Sequence, residues 1–150
     1  EIKAAFDEVD LALYDEIVFC GYGEPLMRLD EVLQTCDYIR SKTKLPIRIN
    51  TNGLADITYG KPVAPLLKGR VDTVSISLNA ANAKDYVYVT RPSFGEDAFD
   101  AMLAFAKSCR GYVDRVMFTV VDVISPAEIE ASRQIAETVG VELRIRKYEG

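Results

Sequence analysis

Hydrophobic residues along the chain switch repeatedly between helical and strand spacing. Apolar positions recur every three to four residues in segments 2–9, 29–39 and 99–109, which predicts helices there. A shorter helix is expected at 63–68. Short apolar or alternating segments between them predict strands at 17–20, 47–51, 73–78, 115–121 and 141–148. Alternation of helices and strands through connections of this length requires right-handed crossovers, so the chain is expected to be α/β with a parallel sheet.

The helix ends carry their own signals. Asp30 is a candidate N-cap for the helix that follows it. Ser125, Pro126 and Glu128 form a capping box with proline at the first helical position. Gly111 and Gly140 are expected to end the last two helices, because glycine readily adopts the conformation that follows a helix.

Three predicted strands are polar on one side. Their polar members are Arg48, Asn50, Ser75, Ser77, Asn79, Arg144 and Arg146. A parallel strand covered on both faces reads as a continuous apolar run, which favours a barrel with an open, wet interior over a doubly wound sheet. Burying these groups unpaired would cost about 1–3 kcal/mol each. For any single strand, an edge position with one solvated face explains the pattern as well.

Composition and charge narrow the class of protein. The 150 residues are 49% hydrophobic and 27% charged, as expected for one globular domain spanning 1–150. The net charge is -5 and no basic run occurs, so nucleic acid is not an expected partner. No apolar run approaches the roughly 18 residues of a membrane span, and the acidic amphipathic amino end does not resemble a signal peptide. A cytoplasmic location without membrane attachment is expected.

Cysteine and histidine usage restricts the chemistry. Cys20, Cys36 and Cys109 lie far apart, so neither a disulfide framework nor a CxxC metal site is indicated, and we interpret them as reduced core thiols. Histidine is absent, which excludes histidine-activated nucleophiles. Chemistry is therefore expected from a bound cofactor or from carboxylates.

Three polar motifs follow successive strands, at the strand ends where parallel α/β folds place their sites. The first, from Gly21 to Glu24, combines a flexible turn with a carboxylate suited to an ammonium group. A dinucleotide fingerprint is a competing interpretation, but Leu26 stands where the third glycine belongs. The second motif, Asn50 to Gly53, offers amides, and by itself it is equally a plain Asn-Gly turn. The third comprises Ser77 to Asn79.

In this order the motifs resemble those of the radical SAM superfamily. The segments FCGYGEPL, RINTNGLA and VSISLNA are most similar to the subfamily linked to TatD-type deoxyribonucleases. The resemblance implies a partial parallel (β/α) barrel of six strands, S-adenosylmethionine (SAM) and a [4Fe-4S] cluster. It also implies oxidoreductase chemistry, in which SAM is cleaved reductively to a 5′-deoxyadenosyl radical. The electron donor would be a flavodoxin or ferredoxin, and the substrate a small molecule or peptide.

The same resemblance assigns cofactor contacts. The implied SAM ligands are Gly21, Tyr22, Gly23, Glu24, Asn50, Asn52, Ser75, Ser77, Asn79, Thr119 and Val121. Tyr22, Gly23 and Glu24 would hold the methionyl ammonium. Asn50 and Asn52 would meet the ribose or the methionyl group, and Ser77 and Asn79 the ribose hydroxyls and the carboxylate. The backbone at 119–121 would meet adenine. Arg48, Arg144 and Arg146 are either structural ion-pair partners or ligands for anionic groups of a substrate.

One departure from the family pattern matters. The CxxxCxxC loop that binds the cluster follows the first strand in the family, and the sequence contains no such motif. We therefore expect the chain to be a piece of a longer enzyme. This piece would lack the first strand and would be inactive alone. Its exposed edge strand at 17–20 would then favour a dimer. Two other classes remain open: a non-catalytic nucleoside-binding module and a scaffold half-barrel.

Overall fold

The computed structural model describes residues 16–19, 24–78, 80, 82, 84, 86, 95, 97–121 and 125–147. The strands are β1 (Ile17–Phe19), β2 (Ile47–Thr51), β3 (Thr73–Ser77), β4 (Arg115–Val121) and β5 (Glu142–Arg146). The helices are a 3-10 helix (Pro25–Arg28), α1 (Leu29–Lys42), α2 (Ala55–Tyr59), α3 (Ala64–Leu67), α4 (Asp97–Cys109) and α5 (Pro126–Val139). The helix expected at 2–9 and Cys20 of the first strand lie outside the described residues.

The five strands form one open sheet in the order β1-β2-β3-β4-β5, and every neighbouring pair is parallel. The prediction of a parallel α/β sheet is confirmed, and β2 and β4 have the predicted bounds. In the described part of the chain, β1 is hydrogen-bonded to a strand on one side only. Pairing of its other side with a second chain stays a prediction.

The helices pack against one face of this sheet. The strand residues of the hydrophobic core all lie on that face, and they are Ile47, Ile49, Val74, Ile76, Val116, Phe118 and Val120. Buried residues of α1 and α4, such as Cys36 and Met102, belong to the same cluster. Met117 is also buried, but it lies on the opposite face and outside this cluster. The apolar positions therefore build a core on one side of the sheet.

The opposite face, here named the polar face, carries the polar positions of the alternating pattern. By strand register it includes Arg48, Asn50, Thr73, Ser75, Ser77, Arg115, Met117, Thr119, Val121, Glu142, Arg144 and Arg146. Burial on this face is uneven, because Thr73, Ser75 and Thr119 are buried. Exposure is concentrated toward β5, four of whose five residues are exposed.

Local signals set both ends of α5 as predicted. The Ser125 hydroxyl accepts from the Glu128 amide at 3.2 Å, while the Glu128 carboxylate accepts from the Ser125 amide at 3.4 Å. Gly140 ends α5 in the left-handed conformation, with φ 83°. The N-cap predicted at Asp30 is wrong, because the 3-10 helix runs directly into α1 and leaves Asp30 inside its first turn. Helix α2, only five residues long, was not predicted.

The amino-terminal ends of β2 and β3 are held together by Asp72. Its carboxylate accepts from the Ile47 amide at 2.8 Å and is paired with Arg40, and its own amide donates to the Ile47 carbonyl at 2.9 Å. These contacts fix the register of the central strands, and so also the positions of their carboxyl ends. None of the helices in the described residues has the length and apolarity needed to cross a lipid bilayer.

Candidate functional site

The carboxyl ends of β2, β3 and β4 form a polar edge of the sheet. Strand register places Asn50 beside Ser75, and Ser77 beside Thr119. Neighbouring strands lie about 4.8 Å apart, so each of these pairs can contact one ligand group. The Leu78 amide donates to the Thr119 carbonyl at 2.9 Å, which extends the contact between β3 and β4 past the last residue of β3. This edge, with Glu24, is named the carboxyl edge.

Glu24 joins two of the sequence motifs through its carboxylate. Oε2 accepts from the Thr51 hydroxyl at 2.5 Å and from the Leu26 amide at 3.1 Å. Oε1 accepts from the backbone amide of Asn52 at 2.7 Å. The side chain therefore caps the 3-10 helix and also clamps it to the end of β2. Sequence reasoning treated these motifs separately and missed Thr51.

The Thr51–Gly53 turn is stabilised by its own side chains. The Thr51 hydroxyl accepts from the Gly53 amide at 3.1 Å, and the Asn52 Oδ1 accepts from the Leu54 amide at 3.0 Å. Gly53 has φ 79° and is buried against the core. The segment is thus an Asn-Gly turn in form, but one that Glu24 holds at the carboxyl edge. The Asn52 side-chain amide retains its NH2 donors, since only Oδ1 is used within the described residues.

Tyr59 supports the same region from α2. Its hydroxyl donates to the Leu26 carbonyl at 2.8 Å and accepts from the Leu29 amide at 3.4 Å. These bonds hold the junction of the 3-10 helix and α1, directly after Glu24. No motif pointed to Tyr59, because its role depends on a contact across more than thirty residues.

The predicted cofactor ligands differ in how far they are exposed. Gly21, Tyr22, Gly23 and Asn79 lie outside the described residues. Ser77 and Val121 are exposed, and Glu24, Asn50 and Asn52 are partly buried. Ser75 and Thr119 are buried, with 7% and 8% of their surface exposed. The described candidates other than Glu24 lie in the carboxyl-terminal halves of three adjacent strands or directly after them, and Glu24 is hydrogen-bonded to the end of one of these strands, β2.

Two of the three predicted arginines lie outside the carboxyl edge. Arg48 and Arg144 line a cavity of about 430 Å³ on the polar face, together with Glu16, Arg115 and Glu142. Thr73 and Arg115, the first residues of β3 and β4, also line it, so it extends toward the amino-terminal end of the sheet. Arg146 is not among the residues that line the cavity. Arg48 therefore lies toward the amino-terminal end of the polar face, whereas Arg144 borders the carboxyl edge, because strand register places it beside Thr119.

The described residues do not fit a [4Fe-4S] cluster. Cys36 and Cys109 are buried on separate helices, and burial raises the pKa of their thiols to about 11 and about 12. Cluster ligands are thiolates, which such surroundings disfavour. In the described ranges, no group of three or more His, Cys, Asp or Glu side chains is placed to hold a metal ion. Cys36 and Cys109 are core thiols, as predicted, and Cys20 lies outside the described residues.

Comparisons with known proteins can be set beside this geometry. A search of curated proteins finds no match. Among solved structures, the chain is similar to a radical SAM methyltransferase from Sphaerobacter thermophilus, with 15% sequence identity and a TM-score of 0.46. That alignment covers 99% of this chain and 55% of the other, so this chain spans about half the length of that protein. The family model described as the Radical SAM superfamily matches residues 1–136. A match over that much of the sequence decides the assignment: the chain belongs to the radical SAM superfamily.

Proposed function

We propose that this chain forms the SAM-binding part of a radical SAM enzyme of the TatD-linked subfamily. The observation that carries the proposal is the hydrogen-bonded network of Glu24, Thr51 and Asn52. It joins the glycine-rich motif and the Asn-Gly motif at the ends of adjacent strands. Two motifs that are separate in the sequence thereby become one site.

The donors and acceptors at the carboxyl edge suit the polar groups of SAM. Asn50 and Asn52 are proposed to meet the ribose or the methionyl group, since amides both donate and accept. Ser77 is exposed, and its hydroxyl has no hydrogen-bond partner among the described residues, so it is available to a ribose hydroxyl or a carboxylate. The backbone at 119–121 is proposed to meet adenine.

The proposed role of Glu24 differs from a direct ligand. Its carboxylate already accepts three hydrogen bonds of the roughly four that it can accept. We therefore propose that Glu24 mainly holds the start of the 3-10 helix against the end of β2. Its negative charge would still favour the ammonium of SAM nearby.

The remaining chemistry depends on groups that this sequence does not supply. When bound beside a reduced [4Fe-4S] cluster, SAM is the source of the 5′-deoxyadenosyl radical that acts on substrates in this superfamily. The cluster ligands would come from a CxxxCxxC segment outside the sequence considered, and the electron from a flavodoxin or ferredoxin. The contribution of this chain is to bind SAM and orient it on the polar side of the sheet.

Binding of SAM can be tested on the chain by NMR. Titration of ¹⁵N-labelled protein with SAM or S-adenosylhomocysteine should shift the amides of Gly23, Asn52 and Ser77 together. A dissociation constant of about 0.1–1 mM is expected, since a few neutral hydrogen bonds at about 0.5–1.5 kcal/mol each supply the affinity.

A matched pair of serine variants sharpens this test. Ser77→Ala should weaken binding several-fold, whereas Ser41→Ala should leave it unchanged. Ser41 is an exposed serine near the end of α1, and it bonds only the Tyr38 carbonyl. Shifts scattered over the surface, or equal effects of the two variants, would remove the basis for the proposed function.

Reconstitution with iron and sulfide provides a second test. Under anaerobic conditions this chain alone is expected to give no stable [4Fe-4S] cluster and no 5′-deoxyadenosine, because two of its three thiols are buried in the core on different helices. Iron and sulfide analysis with Mössbauer spectroscopy would measure this. A stoichiometric cluster would show that its thiols can converge, contrary to the placement of Cys36 and Cys109.

A further inference from the structure

The cavity on the polar face combines an excess of positive charge with an unsatisfied donor. We infer that this cavity, lined by Arg48, Arg115 and Arg144, is a binding site for a small anion that bears a carboxylate or phosphate group. The inference goes beyond SAM binding and stands without it, because none of the residues lining the cavity belongs to the carboxyl edge.

Arg48 provides the unsatisfied donor. Its Nη1 lies 3.3 Å from Glu16 Oε1, but its Nε is buried and has no hydrogen-bond partner. It is the only such buried side-chain atom among the residues that the structure describes. A buried donor left unpaired is unfavourable, so a turn of the guanidinium toward an acceptor in the cavity is favoured. An oxyanion bound there would supply this acceptor, in competition with Glu16 for the guanidinium.

The other charges of the cavity leave one positive charge in excess. Arg115 makes a two-pronged ion pair with Glu142, at 3.0 and 2.9 Å, and this pair is largely neutralised. Arg48 has Glu16 as its partner. Arg144, two residues after Glu142 on the same face of β5, has no acceptor among the described residues. If these arginines served only as ion-pair partners, Arg144 would be expected to have a carboxylate as well.

The chemistry of the cavity restricts the ligand to an oxyanion. A guanidinium presents its N–H groups in a planar fork that matches a carboxylate or a phosphate, and such bonds are charge-assisted. A volume of about 430 Å³ is within the range of small-molecule sites. Since the cavity and the carboxyl edge share one face, a substrate bound between them would be anionic. This last step rests on the proposed function, whereas the anion site itself does not.

The Nε–H signals of the arginines report directly on the site. Protein with ¹⁵N-labelled arginine is titrated with inorganic phosphate and, separately, with succinate, against sodium chloride at the same ionic strength. We expect saturable shifts of the Arg48 and Arg144 Nε–H signals with at least one oxyanion and not with chloride. A response to succinate alone would indicate a carboxylate ligand, and a response to phosphate alone a phosphorylated one.

Two neighbouring arginines on β5 give a matched pair of variants. Arg144→Gln should weaken oxyanion binding about tenfold, because it removes a charge-assisted contact. Arg146 is the next residue along the same face of β5 and lies outside the cavity, so Arg146→Gln should not change oxyanion binding. A third variant, Glu16→Gln, should strengthen binding, because it frees the Arg48 guanidinium from its ion pair. Circular dichroism and urea unfolding would check that each variant is folded.

Three results would overturn the inference. They are shifts that chloride reproduces, shifts that do not saturate, and equal affinity in the Arg144→Gln and Arg146→Gln variants. Failure of SAM binding is recognised separately, because it concerns the amides of Asn52 and Ser77 and not the arginine side chains. The two proposals can therefore fail independently.

Discussion

Replacing Gly53 by alanine is expected to lower the free energy of unfolding by about 2–5 kcal/mol. Gly53 has φ 79°, a left-handed conformation that costs an L-residue about 1–2 kcal/mol. A Cβ at this position would also lie 2.9 Å from Met102 Cγ and 3.1 Å from Ile76 Cγ2, and overpacking a core typically costs about 1–3 kcal/mol. Both neighbours are fully buried, so neither can move freely.

Gly60→Ala is the control that separates these two costs. Gly60 has φ 65°, but nothing lies within 4 Å of the position its Cβ would take. It should lose only the backbone contribution, about 1–2 kcal/mol. Urea unfolding followed by circular dichroism would measure both variants. Equal losses in the two variants would mean that a Cβ at position 53 causes no steric destabilisation against Met102 and Ile76. The turn would then not depend on close packing.

The positions of the strands along the chain and their parallel arrangement could be predicted, because burial of one face sets the apolar pattern. Thr73–Ser77 alternates with one face in the core, and the strand ends within one residue of its prediction. The capping box at Ser125 is equally local, since all of its bonds lie within four residues. Such features need no knowledge of the rest of the fold.

The start of α1 could not be predicted from local pattern. Asp30 follows the usual N-cap preference, but the helical segment already begins at Pro25 because Glu24 caps it. The Glu24 side chain is in turn held by Thr51 and Asn52, which are 27 and 28 residues away in the sequence. A contact of this range is visible only once the strands are placed side by side. The helix Ala55–Tyr59 was missed because five residues are too few to show a helical period.

The candidate site was predictable in its residues but not in their roles. The polar residues at strand ends do lie on neighbouring strands, since parallel strands end at one edge. Glu24, expected to bind an ammonium, also has three hydrogen-bond partners within the chain. The sequence pattern treats the three arginines alike, because all three lie on the polar side of a strand. In the structure Arg48 and Arg144 line the cavity, whereas Arg146 lies beside Val121 and outside it. Side-chain partners across strands decide such roles, and the pattern of one strand does not contain them.

Removing the Glu24 carboxylate is expected to cost nearly as much as the Gly53 change. Glu24→Ala should lower the free energy of unfolding by about 2–4 kcal/mol, because three donors lose a charged acceptor and water replaces it only in part. Glu24→Gln keeps one acceptor oxygen, so its loss should be about half as large. Glu31→Gln is the control: Glu31 makes an exposed ion pair with Arg28 at 3.5 Å, and such pairs contribute about 0–1 kcal/mol.

A double-mutant cycle with Thr51→Val locates this energy in the clamp itself. Valine has nearly the shape of threonine but cannot donate to Glu24 Oε2 or accept from the Gly53 amide. If the Glu24–Thr51 bond stabilises the fold, the Glu24→Ala/Thr51→Val double mutant should lose about 1 kcal/mol less than the sum of the two single losses. The Asn52 amide resonance should move upfield in Glu24→Ala, because a short hydrogen bond to a carboxylate is lost. Additive costs with an unmoved Asn52 resonance would mean that Glu24 does not join the two motifs, and the support for the proposed SAM site would then be lost.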